Sequence, residues 1–282
     1  MTKRGFISAL VMVFVFLGST AAPASDKDGL RILISNDDGI EAPGLEALFD
    51  ALSTLGTVTV AAPSQGRSTA SHGIVTDGPI LIREFERKGS RWYSIDALPA
   101  TCVRLALENL LDKPPDIVVS GINRGENVGV VTFYSATVAC AREAAFKGIP
   151  AVAVSLESGE TMDYDAAAKV AVLIVQEYLA GKWPAGIYLN VNVPALEYGL
   201  IKGFRVVPQD IRASGEAFEG RTNPRGTRYF WPLYQPLGSG DVQTDVWAVR
   251  NGYVSISPFR IDQTDPSVLE RLGKLETVPW KR

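Results

Sequence analysis

The sequence predicts an α/β protein with a Rossmann-like, mainly parallel sheet flanked by helices, followed by a C-terminal β-hairpin or extension. Short apolar runs rich in β-branched residues alternate with stretches whose apolar residues recur at helical spacing. This alternation begins near Leu30 and stops near Pro194, and Gly, Arg, Pro and aromatic residues then dominate residues 208–245. Strand–helix alternation implies right-handed crossovers and a parallel sheet covered by helices.

Composition and charge limit the classes of function. The chain has 282 residues, of which 46% are hydrophobic and 21% charged, an ordinary globular composition that indicates one large domain. Its 28 Lys and Arg residues against 31 Asp and Glu give a net charge of -3, so we expect no nucleic acid polymer as a specific partner. One histidine and two cysteines exclude a multi-histidine zinc site and a four-cysteine cluster, and a Ser-His-Asp triad would depend on His72 alone.

The N-terminal residues 1–24 have the character of a secretory signal peptide. Lys3 and Arg4 precede an apolar run at residues 6–17, and a stretch of small residues leads to Ala24. We therefore expect residues 1–24 to be cleaved and residues 25–282 to be exported, to the periplasm or out of the cell. A membrane anchor is the alternative, but the apolar run is shorter than the roughly 20 residues that cross a bilayer.

The alternating region contains a series of predicted strands and helices. The strands are Leu30–Ser35, Thr57–Ala62, Asp116–Ser120, Ala151–Ser155 and Ile187–Val193, and the helices cover about 43–55, 99–112, 135–147 and 163–180. Pro43 suits the first turn of the first helix, because the first N–H groups of a helix have no partner within it. Beyond this region, Val246–Pro258 is typical of a strand pair that turns at Asn251-Gly252.

Export raises the question of a disulfide between Cys102 and Cys140, since an oxidising compartment permits one. Both cysteines lie in apolar helical patterns, where a cysteine is usually a small buried hydrophobic residue. We therefore predict two free, buried thiols.

Three loops that follow predicted strands carry unusual polar residues, at the position where parallel sheets bind ligands. The first loop, Ser35–Gly39, contains the adjacent carboxylates Asp37 and Asp38. Adjacent carboxylates repel each other unless a cation lies between them. This loop therefore predicts a metal site, with a plain Asp-Gly turn as the alternative.

The second and third loops offer hydroxyl and amide groups. The second loop, residues 62–72, contains Arg67 and Ser68, which could serve a phosphate and a cation respectively, although such clusters are often ordinary loops. The third loop and the helix start after it supply Asn123, Asn127, Ser135 and Thr137. Free N–H groups at a helix start favour an anion, and ordinary N-capping by the two hydroxyl side chains is the alternative.

Six segments of the chain share a pattern with one known family. They are Ile34–Gly44, Val60–Ser68, Val119–Asn127, Tyr134–Val138, Leu189–Pro194 and Gly252–Pro258, in order between about residues 30 and 265. The N-D-D-G and S-G-I-N blocks in the first and third segments are the most specific. By these segments the chain resembles the SurE family of survival proteins. The resemblance implies a metal-dependent 5'-nucleotidase, a phosphomonoesterase that hydrolyses nucleoside 5'- and 3'-monophosphates.

The resemblance also implies which residues form the site. The implied metal ligands are Asp37, Asp38, Ser68 and Asn123, an all-oxygen set that suits one Mg²⁺ or Mn²⁺ ion per subunit, with Ca²⁺ as the alternative. The implied phosphate-binding residues are Asn127, Ser135 and Thr137. Asp37 and Asp38 would be the catalytic carboxylates, and Asp37 could orient or deprotonate a water molecule. His72 is a weaker candidate for the acid that protonates the leaving group.

The chain departs from the family pattern beside the phosphate site. Val130 and Val131 replace the usual acidic residues and Ala136 replaces a glycine, changes that concern substrate preference more than metal binding. The resemblance also implies that the C-terminal extension, from about residue 200, pairs subunits into a homodimer or a larger assembly. Two other functions stay open: an exported metal-binding sensor without turnover, and a broad-specificity acid phosphatase or exopolyphosphatase.

Overall fold

A nine-stranded sheet organises the protein, whose computed structural model describes residues 29–181, 183–212, 215–235, 238 and 243–277. Its strands are β1 (Leu30–Ser35), β2 (Gly56–Pro63), β3 (Ile82–Arg87), β4 (Ser90–Ile95), β5 (Ile117–Arg124), β6 (Ala151–Leu156), β7 (Ile187–Val193), β8 (Phe204–Val206) and β11 (Val254–Arg260). Strands β9 (Gly215–Thr222) and β10 (Arg228–Gln235) form a separate two-stranded sheet. The α-helices of the described residues are α1 (Pro43–Leu52), α2 (Pro99–Leu105), α3 (Ala136–Phe146), α4 (Tyr164–Ala180), α5 (Asp245–Arg250) and α6 (Pro266–Leu272). The predicted signal peptide lies outside the described residues, among which no helix has the length and apolar character needed to cross a membrane.

The strand order β3-β4-β2-β1-β5-β6-β7-β11-β8 confirms the predicted, mainly parallel sheet. Strand β1 pairs in parallel with β2 and β5, β5 pairs with β6, and β6 pairs with β7. Antiparallel pairing joins β3 to β4 and β11 to β7. The carboxyl ends of β1, β2, β5 and β6 therefore meet at one edge of the sheet, and so do the loops that follow them.

Helices cover both faces of the central strands, which explains why these strands are continuous apolar runs in the sequence. On one face, Leu45 of α1 and Val170 of α4 share a buried cluster with Ile34 of β1. On the other face, the buried cluster contains Cys102 of α2 and Cys140 of α3. Both thiols are free and buried, as predicted.

The edge hairpin of β3 and β4 was not among the predicted strands. Its two-residue turn, Lys88-Gly89, has positive φ angles of 53° and 73°, the geometry typical of a tight hairpin. Strand β3 is a partly exposed edge strand in which charged residues separate the apolar ones, so it has no apolar run. Strand β4 buries Trp92, whose ring lies 5.2 Å from that of Phe49 and 6.3 Å from that of Phe85 between centroids.

The prediction of a strand pair at Val246–Pro258 is wrong for the first half of that range, which lies in helix α5. Thr244 caps this helix by accepting a hydrogen bond from the N–H of Trp247 at 3.3 Å. Gly252 has a φ of 81°, and the Asn251-Gly252 pair ends the helix instead of turning a hairpin. The same left-handed geometry serves helix ends and tight hairpins, so the dipeptide alone did not distinguish them. The second half is strand β11, which pairs with β7.

The predicted C-terminal hairpin is present as β9 and β10, apart from the main sheet. Its aromatic side chains are largely exposed: Phe218 is 65%, Phe230 54% and Trp231 53% accessible to solvent. A two-stranded ribbon with such exposure buries little apolar surface of its own.

Candidate active site

The loop after β1 is held in a fixed shape by its own residues. The side chain of buried Asn36 donates to the carbonyl of Gly39 at 2.9 Å and accepts from the N–H of Gly39 at 3.2 Å. Gly39 has a φ of 103°, and a Cβ there would lie 3.0 Å from the backbone of Gln65. Glycine is therefore required at this position, and the turn places Asp37 and Asp38 directly beyond the strand.

Asp37 and Asp38 lie in an environment that disfavours their charge. Asp37 is only 5% exposed, and burial raises its pKa to about 6; a hydrogen bond from Thr137 opposes this shift and the charge of Asp38 adds to it. Thr137 Oγ1 donates to Asp37 Oδ1 at 2.5 Å. Burial also raises the pKa of Asp38, against a hydrogen bond from the N–H of Arg124 to its Oδ2 at 3.1 Å. A cation between two such carboxylates would relieve this electrostatic cost.

The second loop connects the first loop to the third. The N–H of Arg67 donates to the carbonyl of Asp37 at 2.7 Å, which holds Ser68 next to the carboxylates. Ser71 donates from its hydroxyl to the carbonyl of Phe133 at 2.7 Å and from its N–H to that of Tyr134 at 3.2 Å. All three loops therefore form one unit at this edge of the sheet.

Strand β5 continues past its predicted end, with a shift of register against β6 between Ser120 and Asn123. This shift carries Asn123 to the site edge, where its Nδ2 donates to the carbonyl of Gly125 at 2.7 Å. In the described part of the chain, Asp38 Oδ1, Ser68 Oγ and Asn123 Oδ1 have no hydrogen-bond partner. These oxygens are available as ligands.

Asn127 is held by three polar side chains of the neighbouring strands. Its N–H donates to Asn192 Oδ1 at 2.7 Å, and its Nδ2 donates to Ser155 Oγ at 2.8 Å. Asn190 Nδ2 donates to the carbonyl of Asn127 at 2.8 Å. Sequence reasoning assigned no role to these three fully buried residues. Asn190 and Asn192 had a signal in the sequence, because they are asparagines at alternate positions of the otherwise apolar strand β7.

The two hydroxyl residues at the start of α3 have different partners. Ser135 caps the helix by accepting from the N–H of Val138 at 3.1 Å, and its side chain lines the site. Thr137 lies within the first turn, fully buried, and its hydroxyl binds Asp37. The sequence left ordinary N-capping open for both residues. In the structure Ser135 caps the helix and Thr137 does not.

A cavity of about 210 Å³ lies between the three loops. Five of the predicted site residues line it: Asp37, Ser68, Asn123, Asn127 and Ser135. Val131, which the sequence analysis placed beside the phosphate site, also lines it, and the remaining lining residues were not predicted: Thr69, Arg124, Gly125, Glu126 and Tyr134. Asp38 and Thr137 are not among the lining residues and reach the site through their bonds to Arg124 and Asp37. A cavity of about 450 Å³ elsewhere lies at the amino ends of the strands, away from these loops.

The donor set fits a hard divalent cation. The described residues contain no group of three His, Cys, Asp or Glu side chains that could hold a metal, so a cation here would need serine and asparagine oxygens as well as carboxylates. Two aspartates, one serine and one asparagine supply only oxygen, which suits Mg²⁺, Mn²⁺ or Ca²⁺ better than zinc.

The sequence model of the family described as survival protein SurE matches residues 32–216, more than half of the chain. The chain belongs to the SurE family. It is 42% identical over 251 residues to the 5'-nucleotidase SurE of Pelotomaculum thermopropionicum, covering 87% of this chain and 95% of that protein. It is 39% identical over 250 residues to the 5'-nucleotidase SurE of Legionella pneumophila (strain Lens), covering 87% and 97%. The crystal structure of the SurE protein from Aquifex aeolicus superposes with a TM-score of 0.79 at 38% identity, covering 87% of this chain and 99% of that one.

The structure separates the positions at which this SurE chain departs from the family pattern. Val131 lines the cavity, whereas Val130 does not. Ala136 is fully buried at the start of α3. Of the three, only Val131 is placed to contact a ligand in the cavity.

His72, the weaker candidate for an acid, lies outside the cavity of this SurE chain. Its Nε2 is 2.9 Å from Glu143 Oε2, and its ring stacks on Phe146 with 5.4 Å between centroids. Glu143 is six residues beyond Thr137 on α3, or about 9 Å along the helix axis at 1.5 Å per residue. The geometry therefore favours a structural role for His72.

Proposed function

We infer that this protein is a divalent-metal-dependent phosphomonoesterase that hydrolyses nucleoside 5'-monophosphates, and 3'-monophosphates as well, to nucleoside and phosphate. The observation that carries the inference is the position of two adjacent carboxylates at the carboxyl ends of the strands, beside hydroxyl and amide groups: Asp37 lines the cavity, and Asp38 is bonded to the lining residue Arg124. The activity in the names of the SurE relatives agrees with this chemistry.

Each part of the site has a distinct task in hydrolysis. Four residues would hold one cation per subunit: Asp37, Asp38, Ser68 and Asn123. When bound, a divalent cation polarises phosphoryl oxygens and lowers the pKa of a water molecule. Asn127, Ser135 and the N-terminus of α3 would hold the phosphate, because amide, hydroxyl and free N–H groups are donors to anionic oxygen. Asp37 would orient the attacking water, and the hydrogen bond from Thr137 would hold the rotamer of Asp37.

The charges at the rim of the cavity are compatible with an anionic substrate. Glu126, a further carboxylate in the lining, is paired with Arg250 at 2.8 Å, and the Glu126 side chain is largely buried. The exposed Arg124 also lines the cavity. Besides the proposed metal ligand Asp37, a phosphate that enters therefore meets one paired carboxylate and one cationic side chain.

The decisive experiment measures phosphate release by residues 25–282 from nucleoside 5'- and 3'-monophosphates, p-nitrophenyl phosphate and polyphosphate, with Mg²⁺, Mn²⁺, Ca²⁺ or EDTA. We expect nucleotide hydrolysis with Mg²⁺ or Mn²⁺, none with EDTA, and none for Asp38→Ala. Asp77→Ala, a substitution of an exposed aspartate that does not line the cavity, is the matched control.

Each alternative function predicts a different result in that assay. Metal binding without turnover on any substrate would indicate the sensor function. Faster hydrolysis of p-nitrophenyl phosphate or polyphosphate than of every nucleotide would indicate a broad-specificity phosphatase. Full activity in excess EDTA would contradict the metal mechanism.

We further propose that the protein forms a homodimer or a larger assembly through its C-terminal extension. The support is the β9–β10 hairpin, in which Phe218 and Phe230 project from one face and Trp231 from the other, all largely exposed. A second subunit would bury these side chains. Sedimentation analysis should show a dimer or larger species, and Phe230→Glu with Trp231→Glu should shift it toward monomer; a monomeric wild-type protein would contradict the proposal.

We also propose export to the periplasm or cell exterior after cleavage near Ala24. The support is the N-terminal pattern of charged, apolar and small residues. N-terminal sequencing of protein recovered from its native host should find Ser25 as the first residue. Soluble protein that begins at Met1 or Thr2 would contradict export.

A further inference from the structure

A buried carboxylate outside the cavity joins the loop that lines it to the base of the C-terminal hairpin. Asp245, the first residue of α5, is fully buried. Its Oδ2 accepts from the N–H of Gly129 at 2.8 Å. Its Oδ1 accepts from the N–H groups of Asp210 at 2.8 Å and Val246 at 2.9 Å. One side chain therefore binds two segments that lie far apart in the sequence.

Gly129 is also held through its carbonyl. Gln209 Nε2 donates to this carbonyl at 2.8 Å and to Thr132 Oγ1 at 2.6 Å, and Thr132 Oγ1 donates to the same carbonyl at 2.9 Å. Gly129 has a φ of 59°, and a Cβ there would lie 3.1 Å from the carbonyl oxygen of Asp210. The absence of a side chain is what lets the loop approach the C-terminal segment this closely.

Gly129 lies within the segment 127–135, which we call the phosphate loop. Asn127 at one end, Val131 in the middle and Ser135 at the other end all line the cavity. The sheet holds the first end through Asn192 and Ser155, and helix α3 begins at the last. Between these ends, Asp245 and Gln209 fix the loop from the C-terminal side.

The same carboxylate defines the start of the hairpin. Asp210 precedes β9 and Asp245 follows β10, so the bond between them joins the two ends of the chain segment that carries the hairpin. The hydroxyl of Thr244 donates to Asp210 Oδ2 at 3.2 Å and reinforces this junction. The position of the phosphate loop is therefore tied to the hairpin base by direct hydrogen bonds.

We propose that Asp245 is a positioning residue that holds the phosphate loop in its phosphate-binding geometry and couples that geometry to the hairpin base, a role that rests on the proposed function. Asp245 does not line the cavity, so it acts through the peptide group of Gly129. Gln209 is its partner in this role. A looser loop should weaken phosphate binding more than it lowers kcat, because the donors for phosphate are then no longer preorganised.

The test uses Asp245→Asn and Gln209→Met in the full mature protein with Mn²⁺. In Asp245→Asn, one carboxylate oxygen becomes an amide NH₂ group, a donor that faces a backbone N–H group. In Gln209→Met, the side chain keeps a similar length but loses both of the hydrogen bonds that Gln209 donates. The matched control is Asp262→Asn, an exposed aspartate that accepts from the N–H of Thr264 at 2.9 Å. We measure KM and kcat for a nucleoside 5'-monophosphate, calorimetric binding of inorganic phosphate, and hydrogen exchange of the phosphate loop.

We expect both variants to raise KM and the phosphate dissociation constant about tenfold, to change kcat less, and to accelerate exchange within residues 127–135. The control should match wild type. The proposal would be overturned if both variants kept phosphate affinity and loop exchange within twofold of wild type. It would also be overturned if the variants only melted at a lower temperature, with KM and phosphate affinity unchanged in the folded protein. If Asp245→Asn fails to fold, Gln209→Met decides by the same criteria.

The outcomes separate this inference from the proposed function. If the wild-type protein hydrolyses no nucleotide, the proposed function fails, and phosphate affinity and loop exchange still decide the role of Asp245. If the wild-type protein is active and both variants behave as the control does, only the positioning role fails.

Discussion

Replacement of Thr137 by valine tests the most direct contact between the helix and the carboxylates. Valine has nearly the same shape as threonine, so Thr137→Val removes the hydroxyl that donates to Asp37 Oδ1 at 2.5 Å and leaves the buried packing of α3 intact. Asp37 then keeps its place in the chain but loses the donor that selects its rotamer. Thr137→Ser, which retains the hydroxyl, is the matched control.

The size of the effect follows from the burial of both groups. A hydrogen bond to a charged group contributes about 1.5 to 3 kcal/mol. If this contribution is lost from the transition state, kcat/KM falls about 10- to 150-fold, since each 1.36 kcal/mol corresponds to a factor of ten. The serine variant keeps the hydroxyl, so its kcat/KM should stay within about threefold of wild type. A difference of that size is close to the uncertainty of such comparisons, about 0.5 kcal/mol.

The assay is the initial rate of phosphate release from a nucleoside 5'-monophosphate at saturating Mn²⁺, with the melting temperature measured alongside. Saturating metal separates loss of orientation from loss of metal affinity. A valine variant whose kcat/KM stays within threefold of wild type would refute the reasoning. Equal losses in the valine and serine variants would also refute it, because the hydroxyl would then not be the cause.

Four further predictions concern other parts of the molecule. At pH 8, a thiol reagent should modify neither Cys102 nor Cys140 in the native protein and both after unfolding, because burial raises the pKa of Cys140 to about 12 and that of Cys102 as well; rapid native labelling would contradict this. Val131→Asp should change the ratio of kcat/KM between nucleotides and p-nitrophenyl phosphate by about two- to tenfold, while Val130→Asp, outside the cavity lining, should change it less; equal effects would count against the assignment. The wild-type protein, with valine at both positions, should hydrolyse p-nitrophenyl phosphate readily. Trp92→Ala should lower the free energy of unfolding in urea by about 3 to 5 kcal/mol, because the side chain is fully buried, and a loss below about 1 kcal/mol would be inconsistent with that burial.

Local patterns in the sequence determined the class of fold and predicted the location of the candidate site. Strands β1, β2, β5, β6 and β7 were predictable because a strand buried on both faces is largely apolar, although β7 also carries the buried Asn190 and Asn192. The adjacent carboxylates Asp37 and Asp38 were recognisable because their charges are costly beyond a buried strand. Strand β3 and helix α5 escaped prediction for the opposite reason: an exposed edge strand has no apolar run, and Asn251-Gly252 suits both a hairpin and a helix end.

Tertiary structure alone decided which side chains meet. The bond from Thr137 to Asp37 joins residues 100 apart, and the bond from Gly129 to Asp245 joins residues 116 apart. Ser155 and Asn192 reach Asn127 only because β6 and β7 extend the sheet beside β5. Sequence periodicity records which face of an element is buried, but not which element packs against that face. The order and register of the strands set these long-range contacts, because hydrogen bonds between buried polar groups form only where the packed sheet and helices bring the groups within bonding distance.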